Sequence, residues 1–261
     1  MLNWLQTLLG LDAAHPDAIP EALWQATLHR YPFLARLPAA DLQQLRGLVS
    51  QFLRHKEFTG THGLEVTDEM AVAIAAQACL PVLHLGLRLY DDFKGIVLHP
   101  GAMLAQRKTQ DAAGVVHHYR EALLGEAMLG GPVTLSWQDV AAAGHTAERG
   151  HNVVIHEFIH KIDMRDGAAD GCPPLPSRAA HIAWHDTMQA AYSDFFEQVS
   201  MAQRFGGETP WLDAYGATAP AEFFAVTGEA YFVNRERFTQ EFPALTALFD
   251  QFFKPDQPLA Q

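Results

Sequence analysis

Apolar and polar positions along the chain predict helices in its first and last thirds. Apolar side chains recur every three or four positions, as at Leu42, Leu45 and Val49, which is the spacing of a half-buried helix. Thr67 is suited to cap the start of another, more apolar helix. The predicted helices span residues 20–30, 39–55, 67–80, 138–143, 151–164, 178–204, 219–233 and 241–253.

The pattern changes between about residues 94 and 137. The stretches "GIVLHP", "GVVHHYRE" and "PVTLSW" are short, rich in β-branched residues and bounded by glycine or proline, which predicts strands of a small sheet. A later segment, "MRDGAADGCPPLPSR", is rich in glycine and proline and predicts a loop. Helices, then a small sheet, then helices again indicate a mainly helical α+β fold.

The first residues, "MLNWLQTLLGLDAAHPDAIP", do not have the pattern of a secretory signal. They lack the positive charge that precedes its apolar part, and Asp12 interrupts their apolar run. Leu2, Leu5 and Leu8 instead predict a short amphipathic helix. No apolar run approaches the length needed to span a bilayer. We therefore expect a soluble, cytoplasmic protein with no membrane partner.

Composition narrows the classes of function. The formal net charge of −12, from 30 acidic and 18 basic residues, and the lack of a basic run argue against direct nucleic-acid binding. Cys79 and Cys172 are too few for a disulfide framework, and the apolar run around Cys79 predicts a buried thiol. A length of 261 residues, 49% of them hydrophobic, is enough for one large domain or two small ones.

The stretch "NVVIHEFIHKIDMRDG" carries the strongest candidate chemistry. On a helix, His156, His160 and Asp163 share a polar stripe beside a wide apolar face, and Glu157 lies next to that stripe. Two imidazoles four residues apart can bind one zinc ion, and a glutamate directly after the first can reach a water on that metal. The alternative is a buried helix whose histidines only satisfy hydrogen bonds.

A catalytic zinc usually has three protein ligands, and the residues alone leave the third one open. Asp163 and Asp166 occupy the positions where one zinc peptidase class has glycine and histidine, so that class is disfavoured, although Asp166 stays an acidic candidate. Downstream, "DAYGATAPAEFFAVTGEAYF" predicts a helix capped by Thr218, with Glu222 and Glu229 on nearly one face. Each glutamate has a plain alternative, since acids favour helix N-termini and solvated helix surfaces.

Other histidines give weaker signals. His181 and His185 are also four residues apart, but no glutamate follows the first, so we interpret them as surface or interhelix side chains. His117 and His118 are adjacent on a predicted strand and should point to opposite faces of it. The chain has no serine nucleophile elbow and no glycine-rich phosphate loop.

The two quoted stretches, together with "VTLSWQDV", resemble the Mlc titration factor A family of zinc metallopeptidases, which is related to the catalytic domain of anthrax toxin lethal factor. This resemblance implies one zinc ion per chain, with His156, His160 and Glu222 as its ligands. It implies Glu157 as the general base and Tyr215 as a donor to the developing oxyanion. For Tyr215 the alternative is a half-buried packing role.

The resemblance further implies that Asp163 and Glu229 orient the ligand histidines. It implies an N-terminal helical region, residues 1–66, packed on a zincin-like domain of residues 67–261, or the two as one continuous domain. The implied activity is aminopeptidase-like hydrolysis of peptides, linked to sugar uptake through binding of a Mlc-like transcriptional repressor. Two alternatives remain: a non-catalytic protein that sequesters such a repressor, and a structural zinc site.

Overall fold

The computed structural model describes residues 19–110, 116–123 and 125–255, and for the two strands within 103–123 it describes the backbone. The predicted amphipathic helix with Leu2, Leu5 and Leu8 lies outside the described residues. Within the described ranges, no helix has both the length and the apolar character needed to cross a membrane.

The N-terminal part is helical, as the sequence predicts. Its helices are α1 (Glu21–Arg30), α2 (Pro32–Ala35), α3 (Ala39–His55) and α4 (Asp68–Cys79). Thr67 caps α4, because its side chain accepts a hydrogen bond from the backbone N–H of Met70. Buried apolar residues of this part and of the C-terminal helices belong to one hydrophobic cluster. A domain boundary at residue 66 stays a prediction.

The strands form two sheets. In chain order they are β1 (Glu57–Gly60), which lies between α3 and α4, and then β2 (Gly95–His99), β3 (Met103–Gln110), β4 (Val116–Leu123), β5 (Gly125–Ala127) and β6 (Val133–Ser136). β1, β2, β6 and β5 form one sheet in that order, parallel except for β5, which is an antiparallel edge strand. β3 and β4 form a separate antiparallel pair. The sequence did not predict β1, β3 or β5.

The C-terminal part confirms the predicted return to helices and hence the α+β fold. Its helices are α5 (Trp137–Thr146), α6 (Val153–Asp163), α7 (Arg178–Phe205), α8 (Pro220–Val233), α9 (Arg235–Glu241) and α10 (Pro243–Phe253). The predicted helix 241–253 begins instead at Pro243, and α9 precedes it as a separate short helix. Pro243 begins α10 because proline is tolerated in the first turn of a helix.

Helix α6, which contains the His-Glu-x-x-His motif, lies at the centre of the core. Most of its apolar side chains, from Val154 to Ile162, are inaccessible to solvent, and the Phe158 ring contacts Phe52, Tyr90 and Phe93 with ring centroids 5.7, 5.0 and 5.9 Å apart. The Asn152 side chain caps the helix by accepting the N–H of Ile155 at 2.9 Å. A helix fixed in this way holds its polar stripe rigidly.

Lys161 is a buried charge on α6 that the sequence pattern did not single out. Its Nζ donates to Asp92 Oδ2 and to the Met128 carbonyl, each at 2.9 Å, and its side chain is fully buried. Met128 directly follows β5, so Lys161 connects the central helix to the turn that ends the edge strand.

Substituting Lys161 by methionine should therefore destabilise the fold by about 3 kcal/mol, because Asp92 loses a buried partner. Urea denaturation followed by circular dichroism measures this. Lys254→Met is the matched control: its ion pair with Asp250 is long, at 3.9 Å, and half exposed, so its loss should cost less than about 1 kcal/mol. Equal effects of the two substitutions would contradict a structural role for Lys161.

Candidate metal centre

Three metal-ligating side chains converge where α6 meets α8. His156 and His160 lie one turn apart on α6, with ring centroids 4.9 Å apart. Glu222 lies in the first turn of α8, and its Oε2 is 3.2 Å from Nε2 of both histidines. Potential ligand atoms of the three residues all lie within 4.8 Å of one another. The structure thus brings together the predicted ligand set.

This donor set fits a zinc ion. Zinc favours imidazole nitrogen and carboxylate oxygen, and three such ligands leave a fourth position open for water or substrate. The two histidines present the same nitrogen, Nε2, to one carboxylate oxygen, so the donor atoms point at a common position. The set contains no thiolate, which closed structural zinc sites generally use.

The charges at the site are set by these contacts. Burial lowers the pKa of His156, but hydrogen bonds to Glu222 and Glu229 outweigh burial and hold that pKa well above its usual value. For Glu222, burial would raise the pKa, but the two histidines overcome it and hold the pKa far below its usual value. Glu222 is therefore ionised, as a metal ligand must be.

Helix α8 begins differently from the prediction. Thr218 does not cap it: the cap position is Ala219, and the Thr218 hydroxyl donates instead to the carbonyl of Tyr215 at 2.7 Å. Pro220 takes the first helical position, because its fixed φ suits the helix start. The Thr218 prediction was wrong because Thr218 ends the preceding 3-10 helix, and the extended residue Ala219 then stands at the cap position in its place.

Glu229 lies behind the histidines rather than in solvent. Its Oε1 is 3.3 Å from Nδ1 of His156, and its Oε2 accepts the backbone N–H of Asn152. The side chain is buried, so the alternative of a solvated glutamate is wrong. This contact fixes the ring of His156 and leaves its Nε2 directed at Glu222.

Glu157 lies beside the cavity, close against the edge strand. Burial raises its pKa above the usual value, against the charges of His156 and His160 and a hydrogen bond from the Ala127 backbone. A Cβ added to Gly125 would lie 2.5 Å from Glu157 Oε1. A side chain at Gly125 would therefore displace the Glu157 carboxylate from its present position. Neither β5 nor this contact gave a signal in the sequence.

Tyr215 also lines the cavity and lies in a short 3-10 helix, Ala214–Ala217. The Asp213 side chain caps this helix by accepting the N–H of Tyr215 at 2.9 Å. The Tyr215 ring is 6.3 Å from the His156 ring between centroids, and 39% of the residue is exposed. Tyr215 is therefore next to the candidate ligands, and its role as an oxyanion donor stays a prediction.

Asp163 and Asp166 differ in their surroundings. Asp163 is fully buried, and its carboxylate accepts the backbone N–H of Gly171 at 2.9 and 3.2 Å. Burial raises the pKa of Asp163 to about 6. A direct role of Asp163 in orienting a histidine stays a prediction. Asp166 is exposed and is absent from the described residues that line the cavity, so Glu222 is the better third ligand.

The cavity beside these residues has a volume of about 630 Å³. Besides the ligand set it is lined by Glu157, Tyr215 and Glu229, and by two acids outside that group, Glu126 of β5 and Asp213. Its size suits a short peptide segment or a similar small ligand. The two acids make it suited to a positively charged group.

The other sequence candidates lie outside this centre. His181 and His185 are exposed on α7, as predicted, and His181 Nδ1 is 3.5 Å from Cys172 Sγ. His117 and His118 lie in β4. Cys79 is a buried free thiol, as predicted, and burial raises its pKa well above the usual value.

The chain is similar to known proteins along most of its length. Residues 6–254 match the family model described as glucose-regulated metallo-peptidase M90. A protein of Serratia proteamaculans (strain 568) named Mlc titration factor A is 37% identical over 247 residues, which cover 94% of this chain and 91% of that relative. Proteins of the same name from Klebsiella pneumoniae subsp. pneumoniae and Shigella dysenteriae serotype 1 are 34% and 33% identical, over 92% and 98% of this chain and 88% and 92% of theirs.

Substituting Glu222 by alanine should weaken zinc binding by at least about 100-fold, since even residues behind the ligands contribute 10- to 100-fold. Competition with a chromogenic chelator measures the dissociation constant. Asp166→Ala is the matched control, and its affinity should equal that of the wild type. A loss of affinity in Asp166→Ala with none in Glu222→Ala would reverse the assignment of the third ligand.

Proposed function

The chain belongs to the glucose-regulated metallo-peptidase M90 family, and on that premise we propose that it is a zinc-dependent peptidase with aminopeptidase-like activity. The observation that carries the proposal is the approach of Glu222 Oε2 to 3.2 Å from Nε2 of both His156 and His160. His156, His160 and Glu222 would hold one zinc ion per chain. When bound, the ion lowers the pKa of a coordinated water to about 7 and polarises the scissile carbonyl.

Glu157 acts as the general base. It directly follows His156 on α6, lines the cavity and lies outside the proposed ligand set. Its carboxylate takes the proton of the attacking water and passes it to the leaving amine. Burial supports this role, because it raises the pKa of Glu157 and so makes the carboxylate a better proton acceptor. Gly125 and the Ala127 backbone fix its position.

Tyr215 stabilises the negative charge that develops on the carbonyl oxygen. Tyr215 lines the cavity, and its ring is next to the ring of His156. A hydroxyl donor in that place adds to the electrostatic stabilisation of the tetrahedral intermediate. Glu229 holds the ring of His156 from behind, through Nδ1, so that the ligand nitrogen keeps its direction.

A peptide with a free amino terminus fits the charges around the cavity. Glu126 and Asp213 line the cavity without belonging to the proposed ligand set, and carboxylates of this kind favour a terminal ammonium group. We also propose a cytoplasmic location, on the resemblance to the Mlc titration factor A family.

A second function is linked to the first. The relatives are named Mlc titration factor A, and on that name we propose that this chain binds a Mlc-like transcriptional repressor and so acts in the regulation of sugar uptake. The alternative is a protein that only sequesters the repressor without hydrolysing peptides. The cavity beside Glu157 and the ligand set favours catalysis in addition to binding.

Glu157→Gln should retain zinc with an unchanged dissociation constant and lose a factor of about 10² to 10⁴ in kcat, because the amide cannot accept the proton. Chromogenic aminoacyl anilides serve as substrates, and zinc content is measured on the same samples. Wild-type activity in the zinc-loaded variant would rule out this mechanism. Repressor binding by the inactive variant, measured by calorimetry, would show that sequestration is independent of catalysis.

Tyr215→Phe should lower kcat by about 10² with little change in KM, since the hydroxyl acts in the transition state. Tyr192→Phe is the matched control: Tyr192 donates its hydroxyl to the Ala217 carbonyl at 3.1 Å and is absent from the described lining of the cavity. Its kcat should remain close to that of the wild type. A rise in KM alone for Tyr215→Phe would assign the tyrosine to substrate binding instead.

A further inference from the structure

The backbone of Gly171 lies where helices α6, α7 and α8 meet. Its N–H donates to both carboxylate oxygens of Asp163, at the end of α6. Its carbonyl accepts a hydrogen bond from Nε1 of Trp184, on α7, at 2.8 Å. The backbone N–H and the carbonyl of Gly171 are therefore each hydrogen-bonded to a buried side chain, and the two side chains come from different helices.

Gly171 also packs directly against the start of α8. A Cβ at this position would lie 2.7 Å from the Pro220 carbonyl oxygen and 2.9 Å from its carbon, which are backbone atoms that cannot rotate away. The backbone has φ +87°, a conformation that favours glycine. Only glycine therefore allows the loop to lie this close to α8.

These contacts connect the two halves of the candidate centre. Asp163 is three residues after His160, and Pro220 is two residues before Glu222. The histidine helix α6 is thus connected to the glutamate helix α8 by two contacts. The Asp163 carboxylate accepts the Gly171 N–H, and Gly171 packs against the Pro220 backbone. Hydrogen bonds to an ionised acceptor are among the stronger ones, and backbone contacts at van der Waals distance are stiff.

We propose that Asp163 and Gly171 are positioning residues that set the distance between the histidine pair and Glu222 and thereby set the affinity for the metal. The proposal rests on the proposed function in one respect, the assignment of Glu222 as a ligand. Neither residue contacts the reacting atoms. Buried Asp163 thus acts on the site through the loop and α8.

The test is a double-mutant cycle on zinc affinity, measured by chelator competition. Gly171→Ala should weaken zinc binding by about 10- to 100-fold, the range for residues that orient ligands. In a Glu222→Ala background the same change should add less than about 2-fold, because the ligand that Gly171 positions is gone. Thermal melting of each variant confirms that it folds.

Gly86→Ala is the matched control. Gly86 has φ +85°, close to that of Gly171, but a Cβ there would meet nothing within 4 Å. Gly86→Ala thus has the same backbone strain as Gly171→Ala but no clash with a neighbouring backbone. Its zinc affinity should therefore stay within about 3-fold of the wild type. An equal loss of zinc affinity in Gly86→Ala would show that backbone strain alone causes the effect, and it would overturn the proposal.

Asp163→Asn supplies a second route to the site in case Gly171→Ala does not fold. The amide keeps one acceptor oxygen for the Gly171 N–H but loses the charge, so its zinc affinity should fall by about 10-fold, again only when Glu222 is present. If Asp163→Asn lost equal zinc affinity with and without Glu222, its positioning role would be overturned. Unchanged zinc affinity in Glu222→Ala alone would instead reject the ligand assignment, and so the proposed function.

Discussion

The packing of α8 against α6 is the contact on which the candidate site depends. Gly228 makes it possible, because a Cβ there would lie 3.0 Å from Cγ1 of Ile159. Next to this apolar contact, Glu229 accepts the N–H of Asn152 at the start of α6, where the helix dipole favours a negative charge. Two turns earlier on α8, Glu222 then reaches both histidines. If α8 did not pack this closely on α6, Glu222 would not reach the two histidines and no ligand set would form.

Burying so many acids beside the motif is costly unless each one has a partner. Each has one: Glu222 has the two imidazoles, Glu229 has His156 and a backbone N–H, and Asp163 has the Gly171 N–H. Asn152 joins these contacts, since it caps α6 and donates its side-chain amide to Gln77 of α4 at 2.8 Å. The N-terminal helices thus support the site from behind, through hydrogen bonds as well as apolar packing.

The longer helices were predictable because their apolar periodicity extends over several turns, as in α3 and α6. The pairing of the His156 motif with Glu222 came from the family resemblance, since nothing in the spacing of the two stretches fixes their distance in space. β1 and β5 were missed because, unlike the equally short β6, they are not rich in β-branched residues: β1 has one, Thr59, and β5 has none. The roles of Lys161, Gly125 and Gly171 depend on neighbours distant in sequence, so no local pattern indicates them.

The central claim is that one zinc ion lies between His156, His160 and Glu222. Anomalous diffraction from crystals of the zinc-loaded protein, collected on both sides of the zinc absorption edge, tests it most directly. The account predicts a single strong peak within about 2.0–2.2 Å of Nε2 of both histidines and of a Glu222 carboxylate oxygen. A peak bound by other residues, or no peak at this position in crystals with stoichiometric zinc, would contradict it.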